Sequence, residues 1–362
     1  MSTYIVLLLL LATAAIVIFN LNKKNTASRI ELPKPEPTKP NIPSGDKISD
    51  ATPIKKPKAK PADTTPVKVP PTTPSAEALL YADRRGYDAN FIKTDDFKIE
   101  LDDLLKNLQG KLTVLKNPQS GNQHFLNYHH FSIAMNNERN MPLLAAVNID
   151  GLKSIENPRE GDKWIYDPRL DKAQQLGKEY YKGNNLDLGH LVRRLDPVWG
   201  DEALAANADT FHLTVCAPQH KKLNRITWLS LEDYILKNTD LEDLKVSVFT
   251  GPVFTDRDFA YRNALLPLQF WKMAALIKKD GTPSVTAYLL SHEDYLKDMG
   301  ERELIGEDGF GAYKTYQIPL SQLEEMTNLN LENLKKYDPL ANTRSISAVH
   351  YTEIGGESSI QL

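Results

Sequence analysis

The chain has 362 residues and 41% apolar content, enough for one large domain or two ordinary ones at roughly 100–200 residues each. A net charge of −3 excludes a histone-like protein that coats nucleic acid by charge alone. The single cysteine, Cys216, excludes an intramolecular disulfide framework and a thiolate zinc cluster.

The charge is unevenly spread. Residues 1–75 carry a net +6, which leaves −9 for the remainder. Residues 4–19, YIVLLLLLATAAIVIF, are uncharged, and at about 1.5 Å per residue they span a bilayer once Asn20 and Leu21 are added. Their charges follow the run, at Lys23, Lys24, Arg29 and Lys34, whereas a cleaved signal peptide carries its charges before it. The expectation is an uncleaved single-span anchor over 1–22, with a cleaved signal as the alternative. The flanking lysines favour a cytoplasmic side.

Residues 33–74 hold 12 of the 23 prolines, mixed with Lys and Thr. Proline fixes φ and removes a backbone donor, so 23–77 reads as a disordered, partly extended linker. A globular domain is expected over 78–362. SAEALLYADRRGYD predicts a short helix, and DDFKIELDDLLKNLQGKL a second. HFLNYHHFSIAMN and MPLLAAVNIDG, split by NNERN, predict a hairpin, with later strands at DLKVSVFTGPVF and PSVTAYLLS. Helices and strands without regular alternation indicate α+β.

Three segments concentrate the chemistry. LDLGHLVRR (186–194) and the segment DTFHLTVCAPQH that follows at 209–220 read as strands, and LNRITWLSLEDYILK (223–237) as a helix. Metal-assisted phosphodiester hydrolysis needs a base near neutrality and a hard cation with oxygen ligands. His190 suits the first task; Asn224 and Glu232 suit the second. The two lie eight residues apart, about 12 Å along a helix, so both cannot easily bind one ion directly. Asp187 is a candidate to orient His190 or a water. Strand alternation, however, puts neighbouring residues on opposite faces.

The stretch Asp187-Leu188-Gly189-His190, followed by Leu223-Asn224-Arg225…Trp228…Leu231-Glu232, resembles the DNA/RNA non-specific endonuclease family. Further matches at NYHHFSIAMNNERNMPLLAAVNIDG, FTGPVF, PLQFWKMAA and AYKTYQIPLSQLEEMT extend the resemblance over about 120–340. It implies a ββα-metal (His-Me finger) fold with a central, mostly antiparallel sheet. It also implies an Mg²⁺-dependent endonuclease, with Mn²⁺ as the alternative ion, cutting DNA and RNA with little base preference. On that basis His190 is the general base, Asn224 the cation ligand, and Glu232 acts through a cation-held water with Asp187 in support. Partners implied are nucleic acid, a second copy of the chain and an inhibitor protein.

Two departures stand out. The family's hallmark arginine is Leu188 here, so Arg193, Arg194 and Arg225 become the candidates for substrate phosphate. Val215 stands where the family commonly has Asn. A third family arginine, upstream near WIYDP, has no clear match, with Arg159 or Lys163 the candidates. These changes admit an alternative: a degenerate nuclease fold that binds nucleic acid or a protein without cutting. Cys216 is expected to be buried packing, His129–His130 a loop or surface pair, and His212 and His220 flank the second strand.

Overall fold

The computed structural model describes residues 80–94, 97–118, 121–156, 163–221, 223–224, 232, 235, 244–293, 296, 315–341 and 352–353. Residues 1–77, expected as anchor and linker, and Arg225 and Trp228 lie outside them. Among the described residues no helix is long and apolar enough to cross a membrane.

The strands in chain order are β1 (Phe125–Asn127), β2 (Phe131–Met135), β3 (Pro142–Asp150), β4 (Leu186–His190), β5 (Cys216–His220) and β6 (Lys245–Val253). Then come β7 (Phe259–Tyr261), β8 (Ala264–Leu266), β9 (Gln269–Ile277), β10 (Pro283–Ser291), β11 (Thr315–Ile318) and β12 (Thr352–Glu353). Among the described residues, α-helices with defined bounds are α1 (Leu101–Leu104), α2 (Ala203–Asp209) and α3 (Leu320–Thr327). Eight strands make one antiparallel sheet in the order β1-β2-β3-β6-β9-β10-β11-β12. Two ribbons stand apart from it, β4-β5 and β7-β8. The α+β expectation with a mostly antiparallel sheet matches this architecture.

The central strands are buried on both faces, and period-two alternation sorts their side chains into two cores. Val147, Val248, Phe270, Ala274 and Leu290 face one core, which also receives Leu191, Val192, Val215, Ala217 and Leu223 from the β4–β5 region. Phe249, Trp271, Met273, Ala275 and Leu289 face the other, covered by Leu104, Leu105, Leu320, Leu323 and Leu331. Gly251 pairs with Trp271 across β6 and β9. A Cβ there would lie 2.5 Å from the Leu143 carbonyl and 2.9 Å from the indole, so glycine is what leaves room for both.

Several expectations are adjusted. The β2–β3 hairpin forms as expected, but HFLNYHHFSIAMN is itself a hairpin, reversing at His130 with φ of 67°. The second expected helix shortens to α1 followed by a tighter turn over Lys106–Lys111. The reason is tertiary: the Leu104 carbonyl accepts from the Asn330 N–H at 2.9 Å instead of continuing the helix. The described part of the first expected helix, from Leu80, is a turn. There Tyr81 is clasped between the Arg84 and Arg169 guanidiniums, 4.5 and 4.1 Å from the ring centroid. DTFHLTVCAPQH becomes extended only at Cys216, because Leu213–Val215 forms a tight helical turn tied to Ile165.

Candidate active site

β4 and β5 pair antiparallel, from Leu186 opposite His220 to His190 opposite Cys216. Beyond β5 the backbone is helical at Leu223 and Asn224, and again at Glu232 and Ile235. This is a strand, strand, helix order. It is packed on the central sheet through Leu191, Val215, Ala217, Leu223 and Ile235.

Gly189 lets the two strands carry a large side chain between them. A Cβ there would meet the Gln219 side chain at 2.2 Å. Gln219 is fully buried, and its amide finds no hydrogen-bond partner among the described residues. It stands opposite Asp187 in the ladder, so the two side chains share a face. Asp187 Oδ2 accepts from the Asn224 Nδ2 at 3.3 Å. This bond ties β4 to the start of the helical segment across 37 residues.

His190 lies three positions beyond Asp187, and strand alternation directs it to the opposite face. Its ring is held between Trp164, 4.7 Å away, and Phe211, 5.6 Å away. Cys216, its ladder partner, is buried as expected, and burial pushes its thiol up to about 12.

Glu232 belongs to a second grouping. Its Oε1 lies 3.3 Å from Lys272 Nζ, and its backbone carbonyl accepts from Arg193 at 3.4 Å. Lys272 Nζ also donates to Thr250 Oγ1 at 3.1 Å. Asp196 belongs to the same charge cluster: burial pushes its carboxyl up to about 7, with Lys272 and Arg193 opposing the rise and Glu232 adding to it. Arg194 donates to Asn207 Oδ1 of α2 at 2.9 Å. Of the three candidate phosphate arginines, Arg193 is thus at the Glu232 grouping, Arg194 is turned toward α2, and Arg225 lies outside the described residues.

Behind the site runs a dense polar network. Arg169 grips Asp167 at 2.7 Å, and Tyr128 bonds both Asp167 and Thr214 at 2.5 and 2.6 Å. Burial raises the Asp167 carboxyl, but its bonds and charge contacts with Arg169 outweigh this and hold it below the usual range. His212 meets Tyr81 at 2.7 Å, and burial lowers its ring. His129 is in a loop as expected, but it is buried, with Nδ1 2.7 Å from Asp209 Oδ2. His220 is also buried; its backbone N–H donates to His292 Nδ1 at 3.2 Å. Val215 is fully buried in the core beneath β4, a packing position in this chain.

Among the described residues no three His, Cys, Asp or Glu side chains form a ready metal cage. The donors brought together by a direct contact are oxygens of Asn224 and Asp187, while the Glu232 carboxylate stands in the separate grouping with Lys272. With the Asn224 nitrogen spent on Asp187, its carbonyl oxygen remains as the donor, and the buried Gln219 amide adds an unsatisfied dipole on the same face as Asp187. A hard divalent cation that keeps several waters fits this donor set better than zinc, which favours nitrogen and sulfur. Sequence reading missed Lys272, Asp196 and Gln219. The signal for Lys272 was a lone charge inside the apolar run PLQFWKMAA.

The DNA/RNA non-specific endonuclease model matches residues 108–338. A protein of Sinorhizobium fredii, named uncharacterized protein y4fB, is 39% identical over 217 residues, 56% of this chain and 33% of its own length. Mitochondrial endonuclease G of Bos taurus is 30% identical over 122 residues, 30% of this chain and 40% of its own. The human enzyme matches over the same shares. The chain thus spans two fifths or less of the length of these relatives. Among solved structures, the EndoG/EndoGI complex aligns with a TM-score of 0.45 and 16% identity, covering 58% of this chain and 85% of that one. The family match takes in β4, β5 and the helical residues Leu223, Asn224, Glu232 and Ile235, and the chain belongs to the DNA/RNA non-specific endonuclease family.

Proposed function

We propose that this protein is a divalent-cation-dependent endonuclease that hydrolyses phosphodiester bonds of both DNA and RNA. The observation that carries the proposal is the Asp187–Asn224 bond, which joins the His190 strand to the helical segment. Asn224, with Asp187 and Glu232, would hold the cation, Mg²⁺ or Mn²⁺. When bound, the cation supplies positive charge against that building on the phosphate. His190 takes the proton of the attacking water, a task suited to a neutral imidazole at physiological pH. Trp164 and Phe211 limit the directions its ring can take. Arg193, which reaches the Glu232 backbone carbonyl, would add positive charge there, with Arg225 a further candidate for phosphate. Contacts to phosphate and sugar carry no base information, which accounts for low sequence preference.

Leu188 favours a second reading. An isobutyl group where the family has a guanidinium removes an electrostatic donor, a loss of order 10²–10³ in rate for comparable donors. A fold that binds without cutting would follow from a complete loss. One experiment separates the readings: full-length protein incubated with supercoiled plasmid and with RNA, in Mg²⁺, in Mn²⁺ and in EDTA. Cleavage of both substrates, abolished by EDTA, is expected. Salt-sensitive binding by folded protein without cleavage would overturn the nuclease reading.

Residues 1–22 as an anchor and 23–77 as a linker would tether this activity to a membrane. The flanking lysines favour the cytoplasm, whereas the toxicity of a non-specific nuclease favours the outside or a bound inhibitor. Protease protection of intact cells and of inverted vesicles distinguishes the two sides.

A further inference from the structure

We propose that Lys272 is a positioning residue for Glu232: a lysine of the central sheet fixes, from beneath, the carboxylate that serves the cation. The inference rests on the nuclease reading above and extends it to a strand outside the ββα segment.

Lys272 lies in the middle of β9, between Trp271 and Met273, and it is 1% exposed. A lysine is almost never fully buried unless paired, because taking its charge out of water is costly. Alternation sends its side chain to the sheet face shared with Phe270 and Ala274, where the β4–β5 layer packs. Thr250 stands directly opposite on β6, on the same face. Lys272 Nζ contacts Thr250 Oγ1 at 3.1 Å and Glu232 Oε1 at 3.3 Å. The hydroxyl thus holds the ammonium, and the ammonium holds one carboxylate oxygen. Arg193 fixes the same residue through its backbone carbonyl at 3.4 Å.

Truncating one member of a buried ion pair removes a direct charge contact from the other. Without the ammonium, the Glu232 carboxylate loses the contact that fixes its Oε1 and can turn away from the position it holds, which weakens it toward a cation. Groups that orient metal ligands typically contribute roughly 10- to 100-fold in metal affinity or activity. A purely structural lysine would change stability and leave cation affinity alone.

The test is Mn²⁺ binding to full-length protein, followed by electron paramagnetic resonance, across Glu232→Gln, Lys272→Met and the double variant. Lys272→Met is expected to weaken Mn²⁺ binding by roughly 10- to 100-fold. The double variant is expected to bind no more weakly than Glu232→Gln, because the lysine acts through the glutamate. Wild-type affinity in folded Lys272→Met, or a double variant weaker than Glu232→Gln by a further factor of that size, would overturn the proposal. If Lys272→Met does not fold, the double variant against Glu232→Gln decides alone: equal affinities support the role and a further drop refutes it. Wild-type binding by Glu232→Gln would remove the cation role of that residue, and this proposal with it. Weakening in Glu232→Gln without any in Lys272→Met removes only the role of the lysine.

Discussion

The two faces of the eight-stranded sheet are built from the same strands and treat charge differently. The face toward α1 and α3 is filled at its middle by Phe249, Trp271, Met273, Ala275 and Leu289. Its buried Asn148 and Ser247 bond each other at 3.0 Å. The face toward β4 and β5 has the same apolar frame, yet Lys272 stands within it, bonded to Thr250 and to Glu232. One residue along β9, from Trp271 to Lys272, changes the role of the side chain from packing to charge placement. Burying an ion pair seldom stabilises more than apolar residues of the same shape would. Its presence in the middle of β9 marks where the fold gives up simple packing, and that face carries the candidate active site.

Three substitutions sharpen this contrast. The largest effect is expected at Trp271, on the apolar face. Trp271→Ala should cost about 3–5 kcal/mol in denaturant unfolding, as for other buried aromatic truncations. Cleavage per folded molecule should be unchanged, and a specific loss of cleavage would break the division between faces.

The next concerns His292, which is fully buried beside β5. Burial brings its ring from 6.5 down to about 4 in the folded protein, with a smaller contribution from His220. The unfolded chain therefore takes up this proton as pH falls below 6.5, while the folded chain does not until about 4. The His292 contribution to stability is intact above 6.5 and is lost progressively down to about 4, by about 3 kcal/mol in all. His292→Asn should be less sensitive to acid by that amount across the window. Parallel stability curves for the two proteins would contradict the assignment.

The smallest effect is expected between the ribbon strands. Gly189→Ala forces a methyl against Gln219 and should cost about 1–3 kcal/mol, the usual range for overpacking. Gln219→Ala in the same chain should recover part of that loss. A larger combined loss would show that the two residues do not share the space.

Much of this was legible before the structure. The β2–β3 hairpin, β6 and β10 are apolar runs bounded by turn residues, and His190, Asn224 and Glu232 were singled out by the family resemblance, their type and spacing alone being a weak signal. The elements that differed were set by distant contacts. The short α1 ends where Asn330 takes the Leu104 carbonyl, a residue more than two hundred positions away. The turn at Tyr81 depends on Arg169, which no local pattern links to it. Spacing showed that Asn224 and Glu232 were too far apart for easy shared coordination. It could not show that one is engaged by Asp187 and the other by a lysine on a central strand.

The most direct measurement compares plasmid nicking by full-length His190→Ala and Trp271→Phe with that of the parent, at matched folded fraction in Mg²⁺. The account predicts a loss of about 10²–10⁴ in rate for His190→Ala, the range of general base catalysis, with its unfolding curve little changed. It predicts the parental rate for Trp271→Phe. Parental nicking by His190→Ala would contradict the account.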